Sequence, residues 1–119
     1  MRAEIKHLMT ADGDAFDDKF RPTDNEIFSV SLRLIAGPAG GEGEESFDIN
    51  ICTPLWLNHK LQDSDTLIGR HHLFVKSFDY QRIRQAIEKY VSSCSGKGWP
   101  EIGLKLARIG YWEFEDYKE

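Results

Sequence analysis

The chain has 119 residues, is 40% hydrophobic and 12% aromatic, and carries 20 acidic against 15 basic residues, a net charge of −5. That length fits a single domain over residues 1–119, and it can bury about two-thirds of its unfolded surface without a metal or disulfide staple. The composition excludes a disordered chain, and the negative balance disfavours nucleic acid and anionic membrane, whose contacts depend on clustered Lys and Arg.

In chain order, residues 2–8 read as a first strand. Residues 11–26 follow with six acids against two bases. Asp12-Gly13-Asp14-Ala15-Phe16-Asp17-Asp18 within it has the acidity of a calcium loop but not its spacing. The glycine precedes the second aspartate and the bidentate glutamate at loop position twelve is missing, so the run reads as a solvated loop. Residues 26–35 alternate cleanly, with Phe28, Val30, Leu32 and Leu34 on one face and Ser29, Ser31 and Arg33 on the other. Phe47, Ile49 and Ile51 repeat the pattern against Asp48 and Asn50. The turn formers from Gly37 to Glu45 between them predict an antiparallel hairpin with a long tip.

Pro54 starts a short helical turn over Leu55-Trp56-Leu57. Residues 67–78 read as a fourth, less regular strand. Asp79 caps a helix whose apolar positions Tyr80, Ile83, Ile87, Tyr90, Val91 and Cys94 make one stripe. Gly96 and Gly98 end it. A second helix starts at Trp99-Pro100 and buries Trp99, Ile102, Leu106 and Ile109. Strands first and helices later predict an α+β fold: an antiparallel sheet of four to five strands with two helices from the C-terminal half on one face.

The chain's reactive groups do not assemble into a recognisable site. The glycines of the hairpin tip lead into Glu42, Glu44 and Glu45 and then a strand, whereas a phosphate loop needs a lysine and a helix. His71 and His72 are adjacent, so on a strand they point to opposite faces and cannot chelate one ion together. One of them is expected to be packed and the other exposed. Cys52 and Cys94 sit in apolar patterns that suit buried, reduced thiols. No metal or cofactor is expected. The N-terminus lacks the apolar stretch of a signal peptide, and no run of about 18 apolar residues exists to span a membrane.

The segment from Ile109 to Tyr117 stands out, with four aromatics interleaved with carboxylates. As an extended strand it would turn Trp112 and Phe114 toward a core and present Tyr111, Glu113, Glu115 and Tyr117 on the other side. Glu113 and Glu115 would then lie about 7 Å apart, a spacing used by inverting glycosidases. Neighbouring exposed positions on one strand are nearly equivalent, however, and a catalytic pair needs environments that drive the two pKa values apart. A surface that grips a basic partner is the better reading.

The chain resembles the immunity protein 8 family, small antidotes of bacterial polymorphic toxin systems. The resemblance rests on Gly43-Glu44-Glu45-Ser46-Phe47-Asp48 leading into Cys52-Thr53-Pro54-Leu55-Trp56-Leu57, on Gly69-Arg70-His71-His72-Leu73, and on the segment from Leu106 to Tyr117, in this order. It implies a cytoplasmic, non-enzymatic protein that binds and neutralises a cognate toxin. It implies no particular inhibitory residues. From charge clustering and aromatic flanking, the expected contacts are Glu113, Glu115, Asp116 and Tyr117, with Glu42, Glu44 and Glu45 next. A basic toxin would be steered toward them, and the interface would need roughly 800 Å² from this chain. Two other classes stay open: a small hydrolase using Cys52 or the carboxylates, and a self-associating scaffold whose acidic and basic segments meet between copies.

Overall fold

Alternation of apolar and polar residues lays down the centre of a sheet. In the computed structural model, which describes residues 1–115, β1 (Ala3–Thr10), β2 (Ser29–Pro38) and β3 (Glu45–Cys52) run antiparallel side by side. Cross-strand register pairs Leu34 with Phe47, Leu32 with Ile49 and Val30 with Ile51, while Leu8 and Thr10 of β1 fall opposite Leu34 and Leu32. Paired residues share a face. The intervening pairs, Arg33 with Asp48 and Ser31 with Asn50, therefore point the other way.

Thr53 turns the chain out of the sheet. Its buried hydroxyl accepts a hydrogen bond from the Trp56 amide, and Pro54 occupies the first turn of α1 (Pro54–Ser64). This helix is far longer than the turn the sequence predicted. None of its residues is fully buried, so it carries no apolar stripe that could have revealed its length. It is the crossover that lets the next strand, β4 (His72–Phe74), lie parallel to β3. The expected all-antiparallel sheet is thus mixed, and the strand expected over residues 67–78 shrinks to three residues.

Asp79 caps α2 (Tyr80–Ser93) by accepting from the Arg82 amide, as expected. α3 (Trp99–Leu106) follows, and then β5 (Tyr111–Trp112), which pairs antiparallel with β3 at Phe47 and Asp48. One edge of β3 is therefore shared end to end by β5 and β4. The described residues give an α+β fold with a five-stranded sheet and three helices, one helix more than expected.

The core lies between the inner sheet face and the two later helices. Leu32, Leu34, Phe47, Ile49 and Ile51 meet Ile83, Ile87 and Val91 of α2 and Ile102 and Leu106 of α3, all buried. Each such side chain contributes about 1.5–3 kcal/mol by leaving water. The acidic loop is anchored to the same core. Phe16 is buried among Phe20, Phe78 and Tyr80, with ring centroids 5.2–6.3 Å away.

Candidate partner-binding face

The helices α2 and α3 cover one side of the sheet and leave much of the other uncovered. Register places Met9, Arg33, Asp48 and Tyr111 in one row across this outer face, with His7, Ile35 and Ser46 in the next row. None of these side chains is buried, and Tyr111 is 56% exposed. Arg33 donates two hydrogen bonds to the Asp48 carboxylate, at 2.9 and 3.1 Å. That bond raises the Arg33 guanidinium above the usual arginine range, and the nearby Glu113 charge adds to the effect. Glu113 is thus within electrostatic reach of the Arg33 guanidinium. At the far rim, Glu44 lies 3.9 Å from the His7 ring.

Beyond Asn50 an aromatic stripe continues the face. His72 shares register with Asn50, and Phe74 with Cys52. Trp56 of α1 stacks on His72 (6.5 Å, 28°), and His72 stacks on Phe74 (6.0 Å, 15°). Cys52 beneath this stripe is fully buried, and burial pushes its thiol up to about 11. Burial also raises the Cys94 thiol. Both cysteines are free and buried, as expected. A thiol held protonated at neutral pH is a poor nucleophile.

Two devices set the positions of the acidic residues. The hairpin tip is held by Lys6, whose ammonium bonds the Glu4 carboxylate and the Gly41 carbonyl. Its hydrogen bond, with a second from the Gly40 amide, lowers the Glu4 pKa. Gly43, at φ 102°, makes the turn that leads into Glu44. β5 is held by Trp112, which is stacked on Phe47 at 5.9 Å and lies against Gly103, with its indole N–H donating to the Glu45 carboxylate.

The chain turns immediately after Trp112, where the Glu115 amide donates to the Trp112 carbonyl at 2.9 Å. Among the described residues, the extended strand expected over residues 109–117 is thereby corrected to Tyr111–Trp112. Phe114 is 43% exposed and meets Trp112 edge-on instead of facing the core. Glu113 and Glu115 no longer stand side by side on one strand face, which removes the spacing that suggested a carboxylate pair. Glu115 is drawn in against Arg70 and Glu45 against Trp112. Glu42, Glu44 and Glu113 stay exposed. Asp116 and Tyr117 lie outside the described residues.

Both histidines of the expected packed-and-exposed pair are partly buried and hydrogen-bonded. The His71 ring bonds the Ala107 carbonyl and packs edge-on to Tyr111, whereas the His72 ring bonds the Gly69 and Arg70 carbonyls. Among the described residues, no group of three or more His, Cys, Asp or Glu could hold a metal ion.

A family model described as "Immunity protein 8" matches residues 3–117. The chain belongs to the immunity protein 8 family. No curated protein and no solved structure matches it. Family membership implies an immunity protein of a polymorphic toxin system, with a toxin protein as its partner. No helix among the described residues is long and apolar enough to cross a membrane.

Charge clustering in the sequence picked out the exposed Glu42, Glu44 and Glu113, but not the outer-face row of Arg33, Asp48 and Tyr111. Arg33, Asp48 and Tyr111 are far apart in sequence and meet only through strand register. Their signal was the polar half of each strand's alternation, which marks a sheet face left open to solvent.

Proposed function

We propose that this immunity protein 8 family member binds and neutralises a cognate bacterial toxin through the open, acidic, aromatic-flanked face of its sheet. The carrying observation is that Tyr111, Glu113 and Glu44 stand exposed on or beside one uncovered face, in a chain whose family is defined by immunity. Asp48 is answered internally by Arg33, so the negative charge offered by that face comes chiefly from Glu113 and from Glu44, which stands 3.9 Å from the His7 ring. Glu42 extends the same potential along the hairpin tip. Asp116 and Tyr117 are proposed as further toxin contacts on the strength of their carboxylate and aromatic chemistry alone. Glu45 and Glu115, held to Trp112 and Arg70, contribute field more than direct contact.

The proposed partner is basic, since a negative face raises the encounter rate of a cationic domain and disfavours wrong partners. The role is binding alone. Buried, protonated thiols argue against a Cys52 hydrolase, and the turn after Trp112 argues against a carboxylate pair. Work in the cytoplasm suits two reduced cysteines.

Co-expression tests the reading. The toxin domain encoded beside this chain should kill cells alone, spare them when the chain is present, and co-purify with it. Death at equal rates with and without the chain, and no co-purification, would dispose of the proposal.

A further inference from the structure

The open face offers charge but few apolar anchors. Four strands cover about 19 Å, and three rows of alternate residues about 20 Å along them, so the projected area is roughly 400 Å². Allowing for side-chain relief, this only about reaches the roughly 800 Å² that one partner contributes to a stable complex. Carboxylates at a rim also act mainly on the association rate, whereas residence depends on desolvated apolar anchors. An apolar extension of the face would supply such an anchor.

The fold offers one beside the aromatic stripe. Phe74, at the end of the ladder from Trp56 through His72, is 44% exposed, and Leu55 on the first turn of α1 is 47% exposed. Together with Pro54 and Val75 they line an open groove of about 550 Å³, with Glu26 and Lys76 at its lips. A groove of that size holds more than one large side chain. Its apolar wall is continuous with the outer face through Phe74, which lines the groove and shares register with Cys52 of β3.

We propose that this Leu55–Phe74 groove receives a large apolar side chain of the toxin, while the carboxylates of the sheet face engage the toxin's cations. A second copy of this chain is the less suitable occupant. It also carries a net charge of −5, and docking through this face would bring like carboxylates such as Glu44 and Glu113 of two copies together. A cationic protein removes that repulsion. The inference rests on the toxin-binding reading and adds a second, chemically distinct half to the same interface.

The two halves separate kinetically. Immobilised toxin domain, taken from the gene beside this chain, is exposed to the full-length chain and to Phe74→Ser and Leu55→Gln variants whose circular dichroism matches the parent. Dissociation should quicken by about 10–100-fold, the range of a lost interface anchor, with association changed less than about threefold. Leu55→Gln, at an exposed helix position, keeps the test available if Phe74→Ser does not fold. Unchanged dissociation of a bound toxin would overturn the groove assignment and leave toxin binding intact. A parent chain that never binds the toxin would sink both. Light scattering that finds a dimer dispersed by either variant would assign the groove to a second copy and overturn the inference.

Discussion

Gly103→Ala should destabilise this protein although it lies within a helix. In an unencumbered helix interior the change stabilises by about 1 kcal/mol, because glycine loses the most backbone freedom on folding. Here a Cβ at position 103 would sit 2.7 Å from Cη2 and 2.8 Å from Cζ2 of Trp112. The indole has little room to yield, being stacked on Phe47 and bonded to Glu45. Overpacking of this kind costs about 1–3 kcal/mol, so the net effect is a loss of up to about 2 kcal/mol. With Trp112→Leu in the background the obstruction is gone, and Gly103→Ala should stabilise by about 1 kcal/mol. Urea unfolding of the four proteins, followed by far-UV circular dichroism, gives the coupling directly, at about 1–3 kcal/mol. Equal effects of Gly103→Ala in both backgrounds would refute the packing of Trp112 on α3. Trp112 fixes the position of Tyr111 and Glu113, so Gly103→Ala should also weaken toxin binding beyond what lost stability explains.

Other outcomes follow from single contacts. Thr53→Ala removes the buried cap of α1 and should cost about 1–2 kcal/mol in the same unfolding assay. Phe16→Ala empties the aromatic cluster beneath the acidic loop; a loss of about 3–5 kcal/mol and faster proteolysis of residues 11–28 are expected. The raised Cys52 thiol disfavours the thiolate in the fold, so the folded chain holds the proton longer than the unfolded one. Stability is therefore fully present below about pH 9 and falls as pH rises toward about 11. Its loss should be on the order of 2–3 kcal/mol and should shrink in Cys52→Ala. At pH 8 a thiol reagent should label Cys52 only after urea is added.

Much of the fold was legible because it follows from strict periodicity. The alternations centred on Leu32 and Ile49 and the stripe from Tyr80 to Cys94 each have an apolar face that must be buried, and each lies where expected. α1 was not legible in length, since its residues after Leu57 pack only partly and leave no stripe. β4 was misjudged because its three residues owe their conformation to the neighbouring β3, not to local alternation. Phe16 was hidden by the acids around it; a lone aromatic in a charged loop carries no period. The candidate site was half legible. Carboxylate clustering singled out Glu42, Glu44 and Glu113, but the inward ties of Glu45 and Glu115 depend on Trp112 and Arg70, which only the tertiary fold brings near. The Leu55–Phe74 groove joins residues from a helix start and a parallel strand whose pairing the sequence did not reveal.

On the function proposed above, the exposed carboxylates of the outer face steer a basic toxin onto this chain. This steering is tested most directly by the rate of toxin association as a function of ionic strength, for the parent and for Glu44→Lys combined with Glu113→Lys. The parent should bind fast at low salt and slow steeply as salt is added, and the double variant should bind about 10–100-fold more slowly with a nearly flat salt dependence. Superimposable salt profiles for the two proteins would contradict it.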